Sequence, residues 1–223
     1  RTIVSLIADR VITSNQEIQA RFPNSICLPA YLPPSKTPLL DTFLYNLIMK
    51  EKKRGQRIVV SNAWKIVIEN DSDLYGLNFF SAISKALISD NKLFFVFNVA
   101  DQLHNTDYIE GFRKNAGPNY YIGDYLDDFN HIYKISDIYI RCTSSDGDSV
   151  AIRDALDSGC SVIASDVVMR PNGVVCYRYN NIDDAIEKIY SCLNSKHKMI
   201  CTSASHENIL NWESILLGIK DSI

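Results

Sequence analysis

Residues 141–149 read Arg141-Cys142-Thr143-Ser144-Ser145-Asp146-Gly147-Asp148-Ser149 and run directly into Val150-Ala151-Ile152-Arg153-Asp154-Ala155-Leu156. The strand-like run Asp137-Ile138-Tyr139-Ile140 precedes them, and Ser158-Gly159 follows. That pattern is a strand, a loop of small polar residues, and a helix closed by glycine. Free backbone N–H groups at such a helix start, with the positive end of its dipole, favour an anion. Gly147 allows a ligand to approach the backbone closely. Asp146, Asp148 and Ser149 suit helix capping equally well. Asp154 favours the ligand reading. It follows Asp146 by eight positions and falls in the second turn, where a carboxylate can reach back toward the strand end.

The same alternation continues on both sides. Strands are expected at 57–61, 93–99, 119–122, 161–164 and 174–177, besides 137–140. Helices are expected at 41–53, 77–88, 107–115, 126–134, 149–157, 182–195 and 207–220. The run at 93–99, LFFVFNV, is apolar throughout, as a strand covered on both faces requires. Strands alternating with helices pair in parallel through right-handed crossovers. The expected fold is α/β, an open doubly wound parallel sheet. Such sheets bind ligands beyond the carboxyl ends of their strands, near the point where strand order reverses.

The first 35 residues have a different texture. Ala8-Asp9-Arg10-Val11-Ile12-Thr13-Ser14-Asn15 reads as a short strand ending in a turn, with a polar helix to follow. Leu28-Pro29-Ala30-Tyr31-Leu32-Pro33-Pro34-Ser35 holds three prolines and cannot continue a helix or a central strand. It reads as a linker. The helix expected at 41–53 ends in Lys50, Lys52, Lys53 and Arg54, with Gly55 beyond it. Those charges suit a helix C-terminus. They read as a solvated face or as a peripheral contact with anionic lipid.

The chain has 223 residues, 46% hydrophobic and 22% charged, enough for one sizeable core. Its net charge of -3, from 23 basic and 26 acidic residues, argues against bulk attraction to nucleic acid. No apolar run approaches a membrane span. The six cysteines, Cys27, Cys142, Cys160, Cys176, Cys192 and Cys201, form no CxxC pair and no zinc spacing. They are expected as reduced, mostly buried thiols in a cytoplasmic protein. The opening residues carry no secretory signal pattern, and residue 1 is Arg, which suggests a processed product or part of a longer protein. Of the four histidines, His104 alone falls after a strand end at the expected cleft mouth.

The stretch TSSDGDSVAIRDALDSGCSVIASD resembles the carboxy-terminal nucleotide-sugar site of retaining glycosyltransferases of the group 1, or family 4, type. That family carries two acidic residues separated by seven around a Gly-containing loop, then a small residue and Gly, then a strand. Here Asp146 and Asp154 have that spacing, and Gly159 and Val162-Ile163-Ala164-Ser165 follow. Arg170-Pro171-Asn172-Gly173 is similar to an RP-x-G segment of one subset, and Tyr121-Ile122-Gly123-Asp124-Tyr125 to the strand and turn upstream. The likeness covers residues 57–195. Asn211-Trp212 resembles the family's terminal helix.

The resemblance implies a GT-B enzyme whose Rossmann-like donor domain spans 36–200. Residues 1–35 would be a remnant of the amino-terminal domain and its linker, and 201–223 a carboxy-terminal helix. It implies that Asp146 lies by the donor sugar as the catalytic residue. Gly147, Asp148 and Ser149 would meet sugar and diphosphate, Asp154 the ribose, and Gly123 and Tyr125 the base. The implied substrate is a nucleotide-diphosphate sugar, with no cofactor and no metal. The implied partners are a glycan or lipid-linked acceptor and the missing amino-terminal domain, with no nucleic acid.

The chain departs from the family at four places, one being Ser61-Asn62-Ala63-Trp64-Lys65 where a Gly-Arg pair is usual. Both motif carboxylates are Asp rather than Glu. Tyr75 stands where Lys is usual, and a neutral phenol cannot offset phosphate charge. Asn98-Val99-Ala100-Asp101 replaces a Gly-rich turn. Lys65, Arg153 and Arg170 are the expected substitutes for the missing charge. The alternative is a non-catalytic nucleotide-binding or interaction domain of the same fold. An epimerase of similar fold needs other carboxylates and a cleft His, and a dehydrogenase needs a GxGxxG that does not follow the first strand.

Overall fold

The apolar runs pair into one six-stranded parallel sheet in the computed structural model, which describes residues 11–29, 31, 43–69, 72–101, 103–124 and 129–195. Ahead of the sheet, β1 (Ile12–Thr13) and β2 (Ile26–Cys27) pair in parallel across α1 (Gln16–Arg21). Asn15 starts α1, its side chain accepting the Ile18 N–H at 2.8 Å. Then come α2 (Phe43–Lys53), β3 (Arg57–Lys65) and a small antiparallel ribbon of β4 (Ile68–Glu69) and β5 (Ser72–Asp73). The remaining order is α3 (Leu77–Ala86), β6 (Leu93–Asp101), α4 (Thr106–Lys114), β7 (Tyr120–Gly123), α5 (Asn130–Ile135), β8 (Ile138–Arg141), α6 (Val150–Asp157), β9 (Ser161–Ser165), β10 (Val174–Tyr177) and α7 (Ile182–Asn194).

Strand order across the sheet is β10-β9-β8-β3-β6-β7. The first strand of the sheet, β3, therefore lies at its centre. The chain builds outward through β6 and β7, then returns to the other side of β3 with β8. The reversal falls between β3 and β8, as in dinucleotide-type doubly wound folds.

Alternate residues of each strand feed two cores. Val59, Phe95, Phe97, Ile138, Ile140 and Ile163 pack on one face under α3, α4 and α7. Ile58, Val60, Phe94, Val96, Tyr139 and Val162 pack on the other under α2, α5 and α6. Strands covered on both sides explain the unbroken apolar run of β6.

Three expectations need correction. β3 runs four residues past the expected end at 61, because β6 is equally long and pairs with it as far as Lys65 opposite Asp101. α5 begins at Asn130 rather than 126, and residues 125–128 lie outside the described part. The cysteines are less buried than expected: Cys142 and Cys160 are buried, Cys27 and Cys192 half-buried, and Cys176 exposed. All five are free thiols. The proline-rich segment beyond Tyr31, Cys201, the expected helix at 207–220 and Asn211-Trp212 also lie outside the described residues. No helix among the described residues is long and apolar enough to cross a membrane.

Candidate functional site

β3 runs three residues past the end of its neighbour β8, and the chain leaves the two strands toward opposite faces of the sheet. A crevice at their carboxyl ends is the geometric result. The register Val60 opposite Tyr139 places Asn62 beside Arg141, two residues further along each strand. The crossover into α3 is tight. Gly76 adopts φ +72, and a Cβ there would stand 2.3 Å from the Cys142 carbonyl oxygen. Glycine is thus required by conformation and by space. Asp73 caps the same helix, accepting N–H groups of Tyr75 at 3.0 Å and Leu77 at 2.6 Å.

The loop after β8 is organised around Asp146. Its carboxylate accepts hydrogen bonds from Arg170 Nη1 at 2.8 Å, Arg141 Nε at 3.2 Å, Thr143 Oγ1 at 3.3 Å and the Gly147 N–H at 3.1 Å. Arg170 is fixed in turn by the carbonyl and hydroxyl oxygens of Ser165, at 3.0 and 3.1 Å. The Arg141 guanidinium lies over the Tyr75 ring, 5.0 Å from its centroid. Side-chain exposures are 9% for Asp146, 11% for Arg141 and 2% for Arg170. Burial alone would push the Asp146 carboxyl up, but Arg141 and Arg170 outweigh it and hold the group below the usual carboxylate range. For Arg141, burial opposes the charge, and the hydrogen-bonded Tyr139 and Asp146 more than restore it. Two cations and one anion leave this buried cluster with one positive charge in excess.

A chain of buried polar groups runs from this cluster toward Asp154. Tyr139 interacts with Arg141 and donates its hydroxyl to Asn62 Oδ1 at 3.1 Å. Asn62 Nδ2 donates to the Tyr133 hydroxyl at 3.1 Å. Burial, then Tyr139, then the charge of Asp154 push the Tyr133 hydroxyl pKa up. Asp154 also acts on Tyr31, whose hydroxyl donates to Asp157 Oδ2 at 2.7 Å. Thus the hydrogen-bonded chain that starts at Asp146 ends at Tyr133, close enough to Asp154 for that carboxylate's charge to act on it.

The other expected site residues divide. Asp148 Oδ1 accepts from Arg153 Nε at 2.8 Å, so that arginine faces its own loop; Asp148 Oδ2 is buried with no partner among the described residues. Ser149 caps α6, accepting the Ile152 N–H at 3.4 Å. Gly147 is exposed, with open space where a Cβ would stand. Lys65 lies apart from the Asp146 cluster, opposite Asp101 at the ends of β3 and β6. His104 Nδ1 pairs with Asp101 Oδ2 at 3.0 Å near the same strand end. Gly123 ends the edge strand β7, where a Cβ would meet Asn98 Oδ1 at 2.8 Å. Tyr125 lies outside the described residues. Cys142 is buried, and burial pushes its thiol up to about 12, which removes it as a nucleophile at neutral pH.

Arg141, Tyr139, Asn62 and Tyr133 were not singled out from the sequence. Two of them leave a mark in the sequence, a cation closing the strand Ile138-Tyr139-Ile140-Arg141 and an amide inside β3, but neither mark says where the side chain points. Among the described residues no three His, Cys, Asp or Glu side chains gather as a metal site. Exposed apolar side chains stand at the strand-end face: Trp64 at the end of β3, Leu103 after β6 and Met169 after β9.

The fold is that of the Rossmann-like domain of GT-B glycosyltransferases. HepE from Anabaena, in a crystal structure with UDP and glucose, matches with a TM-score of 0.70 at 11% identity, over 98% of this chain and 65% of its own. A glycosyltransferase from Rickettsia africae matches at 0.66 and 13% identity, over 95% and 64%. The trehalose-6-phosphate synthase OtsA matches at 0.64 and 12% identity, over 90% and 52%. These are likenesses of fold, and this chain spans less than two thirds of each of the three. No protein-family model matches the chain, and no curated protein matches it in sequence.

Proposed function

We propose that this chain is the donor-binding part of a two-domain glycosyltransferase that moves a sugar from a nucleotide-diphosphate donor, with retention, to a glycan or lipid-linked acceptor. One observation carries the reading: at the point of strand reversal a buried polar chain runs from Asp146 through Arg141, Tyr139 and Asn62 to Tyr133, a hydroxyl on which the charge of Asp154, at the motif spacing, acts. Ligands of doubly wound sheets bind there. UDP and UDP-glucose complexes of the similarly folded HepE support a nucleotide sugar as the ligand class.

In this reading the sugar and diphosphate lie against Asp146, Gly147, Asp148 and Ser149. The ribose faces Asp154, and the base lies toward Gly123 and Tyr125. Guanidinium groups and the start of α6 meet the departing diphosphate, so that no metal is required. The acceptor is brought by an amino-terminal domain of which residues 1–35 are a remnant; Trp64, Leu103 and Met169 face the side where it docks. A cytoplasmic enzyme with peripheral membrane contact through the basic end of α2 fits this role.

The test is calorimetric titration of the chain with UDP, GDP, ADP and CDP. Saturable binding of at least one, abolished by Asp154→Ala, is the expected result. No binding across the panel would overturn it. The second reading, a non-catalytic domain of the same fold, is favoured by Tyr75 in place of a lysine and by the arginines already holding Asp146.

A further inference from the structure

We propose that Arg141 and Arg170 form the diphosphate clamp of this site, and that the Asp146 carboxylate fills the clamp when no ligand is bound. The inference rests on the nucleotide-sugar reading given above. Both guanidiniums converge on one carboxylate oxygen, Asp146 Oδ2, at 3.2 and 2.8 Å. Two fully charged forks meeting a single anion leave an uncompensated positive charge, and an uncompensated buried charge is costly. An entering phosphate removes that excess. The planar forks of arginine match phosphate oxygens in bidentate fashion, which a lysine does not.

The surroundings fix the clamp in place. Arg170 is tied to Ser165 by two hydrogen bonds, and Ser165 Oγ donates to the Thr143 carbonyl at 2.7 Å. The Arg141 guanidinium lies over the Tyr75 ring. Tyr75 therefore acts through the cation it supports rather than by its own charge. Beside the cluster, Gly147 opens onto free space, which gives a phosphate a way in. Asp146 is a stand-in anion between the two guanidiniums. Its exchange for a phosphate frees the carboxylate for the sugar hydroxyls.

The experiment compares three probes on the whole chain by calorimetry: the nucleoside diphosphate that binds best, its nucleoside, and inorganic pyrophosphate. Arg141→Met and Arg170→Met are expected to weaken diphosphate and pyrophosphate at least about tenfold, the loss of one charge-assisted contact. Nucleoside affinity stays unchanged. Arg141→Lys loses less than Arg141→Met, and the Arg141 pair of variants carries the test if Arg170→Met does not fold. Asp146→Asn, which removes the competing anion, is expected to strengthen diphosphate binding several-fold. Equal weakening of nucleoside and diphosphate, or weaker diphosphate binding by Asp146→Asn, would overturn the clamp. Diphosphate affinity unchanged in Arg141→Met overturns it too, while leaving the nucleotide reading intact. Pyrophosphate binding that depends on Arg141, without preference for any nucleotide, sinks the nucleotide reading and keeps the clamp. A wild-type chain that binds none of the probes overturns both.

Discussion

Asp146 is a carboxylate whose charge is decided by its neighbours. Burial favours the neutral acid, and the two arginines reverse that preference. A carboxylate whose folded-state pKa lies below its unfolded one adds stability that is complete above the unfolded value, near 4, and is lost as pH falls through the folded value. Asp73 has the opposite sign. Its burial, only partly offset by the N–H groups it caps, raises its pKa, so its contribution is present below about 4 and lost as pH rises. Denaturant midpoints of the wild type are therefore expected to fall between about pH 4 and pH 2, and less so in Asp146→Asn. Identical slopes for the two proteins would refute this account. At this scale the spacing of Asp146 and Asp154 could be read directly. Arg141 could not, because a cation at a strand end points equally well to solvent. Tyr75 comes under it, and Arg170 joins it at Asp146, only after folding.

Between elements, the tightest junction joins α3 to the end of β8. Gly76 stands there with its α-carbon against Cys142, and the Ser144 N–H donates to the Leu74 carbonyl at 3.0 Å. Gly76→Ala combines a left-handed backbone with a clash against a carbonyl that cannot move freely. A loss of at least about 2 kcal/mol is expected from denaturant unfolding. Because the same contact positions the loop that leads to Asp146, ligand affinity in the folded fraction drops as well. A variant as stable as the wild type would show that the junction yields. The existence of each strand of the six-stranded sheet followed from its run of residues, and both ends of β10 were legible, whereas β2, β4 and β5 were not foreseen. The length of β3 was not, since Asn62, Trp64 and Lys65 are polar or exposed and are held in the strand by pairing with β6. Tertiary hydrogen bonding overrode local character there.

For the whole molecule, alternation of strands and helices foretold a parallel sheet but not its order. That order comes from the handedness of crossovers and from which face each helix covers. The same order places the candidate site at the carboxyl ends of the strands, where β3 and β8 part. On the proposed donor-binding reading, this chain by itself is expected to bind nucleotide yet transfer no sugar. Assays with radiolabelled donors and simple glycan acceptors check this. Measurable turnover by the 223-residue chain would show that no further domain is needed.

The outermost strands, β7 and β10, are each four residues long, whereas β3 and β6 span nine. Such a short border offers a neighbouring molecule only about two amides and two carbonyls. Edge-to-edge growth of the ladder, the usual route by which exposed strands seed aggregates, therefore has little to build on. The fold keeps its long, sticky strands sheltered in the middle and fences them with stubs.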